Sequence, residues 1–134
     1  MSSSASPAGP EEVRRRKSLG KAGEALARRF LESQGFRILW ANYRRRAGEI
    51  DIVARKRRLL VFCEVKSLVG LGDPREGYGE KQRRRLVELS EQFLTEYADL
   101  LPAVYDVRYD LIIVGEGEDG RLAVKEHVPD AFRP

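Results

Sequence analysis

Gly48-Glu49-Ile50-Asp51-Ile52-Val53-Ala54 and Leu59-Leu60-Val61-Phe62-Cys63-Glu64-Val65-Lys66 are two apolar runs that carry charge where a sheet interior should sit. An unpaired charge in a strand core is costly to desolvate, so acids at these positions are expected to be paired or to hold a metal. Side chains alternate faces along a strand. Leu60, Phe62, Glu64 and Lys66 therefore share one face, and Leu59, Val61, Cys63 and Val65 the other. On the earlier run Asp51 lies with Glu49 and Val53, opposite Ile50 and Ile52. The link Arg55-Lys56-Arg57-Arg58 is short and polar and predicts a hairpin. A turn centred there sets Asp51 opposite Phe62 with Glu64 on the diagonal, within reach of one metal ion.

Upstream of this pair, residues 1–17 read as a disordered tail, Ser/Ala/Pro-rich and then charged. Residues 18–134 read as a single domain. A helical period starts at Ser18, with Leu19, Ala22, Leu26, Ala27, Phe30 and Leu31 on its apolar side and Gly35 as its stop. Phe36 to Trp40 predicts a first strand and Asn42 to Ala47 a basic loop. Downstream, the glycine-rich Ser67 to Gly79 predicts a mobile loop. A second helix is expected from Glu80 to Ala98, with Leu86, Leu89, Phe93 and Tyr97 on one stripe. A fourth strand is expected over Tyr105–Val114 and a short fifth over Arg121–Glu126, followed by a tail that packs through Phe132. The order α-β-β-β-α-β-β predicts an α/β fold, a mixed sheet flanked by helices.

The 134 residues carry 25 Lys and Arg against 21 Asp and Glu, a net charge of +4, and 42% are hydrophobic. That supports a folded domain and is compatible with a polyanionic partner. A single cysteine excludes an intrachain disulfide and a Cys-rich zinc site, and a single histidine argues against His-based chemistry. No apolar run reaches the length of a membrane span, and the first ten residues lack the apolar core of a secretory signal. A cytoplasmic protein without a membrane partner is expected.

Mg²⁺ takes oxygen ligands, commonly one or two carboxylates with water and phosphate oxygens. Asp51 and Glu64 can supply the carboxylates and the Val65 carbonyl a further oxygen. Lys66, on the Glu64 face, can orient a water or stabilise charge building on a phosphate. Glu24 shares a helical line with Ala27 and Leu31 and borders the buried face; it either reaches the metal or pairs in solvent with Arg28. Glu49 can ligate as well, but is expected in solvent near the strand end. The runs Arg44-Arg45-Arg46, Arg55 to Arg58 and Arg83-Arg84-Arg85 can track a nucleic-acid backbone or form solvated faces. Lys81 suits a phosphate contact, and Gln82 lies on the line that faces the site. Asp110, mid-strand, reads as structural and paired with Arg108 or another cation; His127 reads as an ordinary surface or strand-end residue.

Taken together, Glu24, Gly48-Glu49-Ile50-Asp51 and Phe62-Cys63-Glu64-Val65-Lys66 resemble the PD-(D/E)xK nuclease superfamily, whose fold is restriction-endonuclease-like. More narrowly the chain resembles the UPF0102 (YraN-like) family, related to archaeal Holliday-junction resolvases. Gly20-Lys21-Ala22-Gly23-Glu24, Asn42-Tyr43-Arg44, Lys81-Gln82, Arg108-Tyr109-Asp110 and Ala131-Phe132 also carry this resemblance. It implies Asp51 and Glu64 as acidic ligands, Lys66 as catalytic lysine and Glu24 as the helix glutamate of the resolvase type. Relatives commonly carry an aromatic–Arg pair after the lysine, where this chain has Ser67-Leu68. The expected activity is Mg²⁺- or Mn²⁺-dependent hydrolysis of DNA, branched or flapped DNA included, with Arg44, Arg45, Lys81 and Gln82 contacting the nucleic acid. Junction cutting would call for a homodimer. The alternatives are a non-catalytic nucleic-acid-binding module of the same fold and a protein-interaction domain with a solvated ion-pair cluster.

Overall fold

The computed structural model describes residues 9–68 and 79–134, without the side chains of 12–19. Its elements are α1 (Pro10–Ser33), β1 (Arg37–Arg45), β2 (Gly48–Lys56), β3 (Leu59–Ser67), α2 (Glu80–Glu96), β4 (Asp106–Glu116) and β5 (Leu122–Phe132), with a short 3₁₀ turn at Ala98–Leu100. The strands form one sheet in the order β1-β2-β3-β4-β5. Only β3 and β4 are parallel, joined through α2; the other neighbours are antiparallel. The expected mixed α/β sheet with flanking helices is the fold observed.

α1 begins at Pro10 rather than Ser18, with the proline at the position where its missing N–H is harmless. It stops as the sequence predicts. Gly35 takes φ 92°, its N–H bonds to the Glu32 carbonyl, and the Phe36 N–H reaches back to Leu31. Phe36 and Leu31 then bury together, the apolar contact that accompanies this helix ending.

Each helix covers one face of the sheet. Ala27 and Leu31 of α1 pack on Ile52, Ala54, Val61, Cys63, Ile112 and Val114. Leu86, Leu89 and Phe93 of α2 pack on Tyr43, Ile50, Val53, Leu60, Phe62 and Tyr109. Phe62 sits centrally in the second cluster, 5.8 Å from Phe93 and 5.9 Å from Tyr109 by ring centroids. Truncating so enclosed an aromatic costs about 3–5 kcal/mol.

Several expected boundaries shift. The basic segment Asn42–Ala47 is not a loop: β1 runs through Arg45, and only Arg46 and Ala47 turn before β2. The β2–β3 turn is just Arg57 and Arg58, with Arg57 at φ 56°. This tight turn pairs Val53, not Asp51, with Phe62. The β2–β3 register ends at Ile52/Cys63, one step short of Asp51. β5 extends through Phe132 instead of ending at Glu126, because Phe132 stacks on Tyr109 at 4.8 Å and Asp110 binds the strand's last turn. Of the glycine-rich segment expected as a mobile loop, residues 69–78 lie outside the described residues, as do residues 1–8 of the expected tail.

Asp110 is fully buried and structural, as its mid-strand place suggests. Both its oxygens receive Arg108 at 2.8 Å, His127 Nε2 lies 2.7 Å from Oδ2, and the Asp130 N–H donates to Oδ1 at 3.0 Å. His127 is thus no ordinary surface residue but part of the clamp that holds β5 to β4.

Candidate metal centre

The pleat of β2 fails at Asp51. Ile50 joins Val53 on the α2 side while Ile52 joins Ala54 on the α1 side, although alternation alone would put Ile50 and Ile52 together. Across from Asp51, Asn42 of β1 adopts φ 56°, and the β1–β2 pairing skips from Ala41/Ile52 to Tyr43/Ile50. On the other side the β2–β3 ladder ends at Ile52/Cys63. The Asp51 carboxylate fills the interruption: its Oδ2 accepts the Val65 N–H at 2.8 Å.

At this break three acids converge. Glu24 of α1 and Glu49 and Asp51 of β2 bring carboxylate oxygens within 4.8 Å of one another. Gly23 is what lets Glu24 come so close. It is buried, and a Cβ there would lie 2.8 Å from Val114 Cγ2 of β4, so α1 touches the sheet at that point. The Asn42 amide, turned so that both its ends are satisfied, donates to Glu24 Oε2 at 3.0 Å and Glu49 Oε1 at 2.6 Å. Arg44, largely exposed, adds an ion pair to Glu49 at 3.4 Å.

These partners leave the cluster under-neutralised. Burial pushes the Asp51 carboxyl up from an ordinary 3.8 to about 7; the Val65 N–H opposes the shift, and Glu24, Glu64 and Glu49 reinforce it. Burial also raises Glu24, with Glu49 adding repulsion and Asn42 working against both. Oxygen donors this close and repelling one another, Glu24 and Asp51 partly buried and Glu49 exposed, are of the type that hard divalent cations take. Of the three expected ligands, Glu24 and Asp51 belong to this set and Glu64 does not.

Glu64 lies beside this set rather than within it. Its Oε1 accepts from Gln82 Nε2 of α2 and from Lys66 Nζ at 3.2 Å. Burial raises its pKa and Lys66 lowers it. Lys66 thus stands on the Glu64 face as the pleat requires. Glu49 is exposed near the start of β2, as expected, and still brings a carboxylate oxygen to the cluster. Alternation along β2 already sets it on the Asp51 face.

A cleft of about 530 Å³ opens next to the acids, lined by Gly48, Glu49, Glu64, Lys81, Gln82 and Arg85 among others. Lys81 and Gln82 therefore sit where a polyanion entering the cleft would meet them. Arg45 does not: it is bound to Glu96 of α2 at 2.6 and 3.1 Å and lies 4.1 Å over the Tyr43 ring.

Fold and cluster define a small mixed α/β protein with a candidate metal centre at an interrupted strand. The chain belongs to the family described as Uncharacterised protein family UPF0102, whose model matches residues 23–114, from the Gly23-Glu24 pair of α1 to Val114 of β4. It is 42% identical over 124 residues to a UPF0102 protein of Azorhizobium caulinodans, covering 90% of this chain and 89% of that one. A UPF0102 protein of Anaeromyxobacter dehalogenans is 41% identical over 119 residues, 87% of this chain and 85% of its own. One from Acidothermus cellulolyticus is 40% identical over 127 residues, 87% and 95%. Among the described residues no helix is long and apolar enough to cross a membrane.

Proposed function

We propose that the chain is a divalent-metal-dependent nuclease of the PD-(D/E)xK kind, using Mg²⁺ or Mn²⁺ to hydrolyse phosphodiester bonds in DNA. The convergence of Glu24, Glu49 and Asp51 within 4.8 Å at the edge of a cleft carrying Lys81 and Arg85 supports this reading most directly. A metal held by these carboxylates would lower the pKa of a bound water and polarise a phosphoryl oxygen. The chain's own groups do the rest. Asp51 must give up its proton, with a pKa near 7, before it can serve as a ligand. Lys66, paired with Glu64 at 3.2 Å, can orient water or meet charge on the phosphate. Lys81, Gln82, Arg85 and the exposed Arg44 can receive the backbone. Branched DNA as substrate, kinship with junction resolvases, a homodimer and a cytoplasmic location belong to the same proposal.

One observation favours a second reading, a nucleic-acid-binding module without turnover. Glu64 is engaged by both Gln82 and Lys66, so an acid expected as a ligand and the candidate catalytic lysine pair with each other. Labelled duplex, single-stranded, flap and four-way-junction DNA incubated with Mg²⁺, Mn²⁺ or EDTA separates the two. Cleavage that needs metal and vanishes in Asp51→Asn and Lys66→Ala is the result expected. Binding in every condition without cleavage would transfer the case to the module.

A further inference from the structure

A second basic surface lies on the far part of the same strands, away from the acids. Arg37 of β1 is paired directly with Arg55 of β2, and Arg57 and Arg58 form the adjoining turn. Among the described residues none of these four arginines makes an ion pair; Arg55 Nε donates only to the Arg57 carbonyl, at 2.7 Å. Like charges directly opposite on neighbouring strands are destabilising. Among the described residues no acid forms an ion pair with this arrangement, although Asp106 is close by in the fold, its N–H bonded to the Arg58 carbonyl at 2.8 Å.

Beside the arginines stands Trp40, 39% exposed. Trp40 pairs with Val53, and Val53 and Arg55 share a face by alternation, so Trp40, Arg55 and Arg37 all point to the α2 side. One flank of the indole rests on Tyr97 at the end of α2, at 5.0 Å. A flat aromatic fixed from one side and flanked by unneutralised guanidinium groups is the chemistry that takes an unpaired base together with its phosphates.

We propose that Trp40, Arg37, Arg55 and Arg57 form a binding surface for single-stranded nucleic acid, separate from the carboxylate cluster. It takes from the proposed function only the idea that the ligand is a nucleic acid. Asp51 and Arg55 lie on one strand, four positions apart, or about 13 Å at ~3.3 Å per residue. A strand lying over Trp40 can therefore continue toward the acids within a few nucleotides.

Trp40 is the chain's single tryptophan, so its emission reports on this surface alone. The protein is titrated with a short oligothymidylate in EDTA, following tryptophan emission and, with a labelled oligonucleotide, polarisation. Saturable quenching that weakens with salt is expected, together with a loss of affinity of about 10-fold or more in Arg55→Glu/Arg57→Glu. Trp40→Ala should weaken polarisation-detected binding about 5- to 100-fold. Because Trp40 packs on Tyr97, the arginine variant, altered only at the strand end and turn, carries the test if Trp40→Ala fails to fold. Absence of binding, binding that leaves Trp40 emission unchanged, or wild-type affinity in the arginine variant would each overturn the assignment. Quenching without metal-dependent cleavage keeps this surface and sinks the nuclease; cleavage with a silent Trp40 does the reverse.

Discussion

Asp51 accepts the Val65 N–H at 2.8 Å, joining β2 to β3 beyond the last pair of their ladder. One carboxylate thereby does the work of a missing backbone bond while bordering two other acids. That double duty makes its protonation consequential. Its pKa, raised by burial to about 7 from 3.8, means that the folded chain holds a proton which the unfolded chain releases. The associated stability is full below about pH 4 and is lost as the pH climbs through 7, up to about 4 kcal/mol. In EDTA the melting temperature of the wild type should fall relative to Asp51→Asn across that window. Parallel curves for the two proteins would refute the shift.

The same proton competes with metal. Mn²⁺ affinity should rise about tenfold per pH unit below 7 and level off above it. Calorimetric titration at pH 5.5 and 8 measures this. Glu24→Gln and Glu49→Gln should each weaken binding at pH 8, and an unchanged Glu49→Gln would remove that residue from the ligand set.

Asn42 donates to Glu24 and Glu49 from a left-handed backbone, so Asn42→Gly deletes the amide without adding strain. Loss of hydrogen bonds to charged groups should destabilise the metal-free protein by about 1.5–3 kcal/mol. Saturating Mn²⁺ should restore most of the loss, because the cation replaces the donor. Chemical denaturation with and without Mn²⁺ tests both halves.

Gly23→Ala would place a Cβ 2.8 Å from Val114 Cγ2. Overpacking there should cost about 1–3 kcal/mol, with alanine's helix preference offsetting about 1 kcal/mol of it. Displacing α1 also carries Glu24 away, so metal affinity should drop as well. Val114→Ala in the same chain should recover affinity more than stability, and a double-mutant cycle with no coupling would contradict the contact.

Asp110→Ala strands Arg108 beside an empty buried site and should cost about 3–5 kcal/mol. Burial by itself would raise the Asp110 pKa, but bonds from His127, Arg108 and the Asp130 N–H outweigh it and the net shift is downward. Its contribution is therefore present above about pH 4 and disappears as the pH falls through the depressed value. Amide hydrogen exchange along Val128–Phe132 should accelerate in the variant. Unchanged exchange would mean the clamp is not what holds β5.

The sheet was readable because apolar alternation reports burial, and α1 because Gly35 marks its stop. Glu24 was placed correctly by its helical line with Ala27 and Leu31, both now fully buried. The register of Asp51 was missed because Arg55 and Lys56 are polar yet belong to the strand, which shortened the turn to Arg57-Arg58. Glu49 shares the Asp51 face by alternation and is exposed near the strand end, both legible in the sequence, whereas the break at Asp51 accompanies Asn42 at φ 56°, a backbone state that no side-chain pattern announces. The role of His127 was hidden for another reason. Its partner Asp110 sits 17 positions earlier, and only the bulged β4–β5 pairing brings them together.

The single parallel pairing, Leu59–Ser67 alongside Asp106–Val114, has a consequence for the order of assembly. β1, β2 and β3 meet through two-residue turns, contacts that close quickly, whereas β3 and β4 must first draw the ends of a long crossover together. Glu24, Glu49 and Asp51 all precede that crossover, and Lys81, Gln82 and Arg85 lie within it. On a chain emerging from the ribosome the acids are synthesised first, yet Glu24 takes its seat only when Gly23 meets Val114 of β4, which follows the helix that supplies the cations. The carboxylate cluster is thus complete no earlier than the last third of the chain, although all three of its acids lie in the first half.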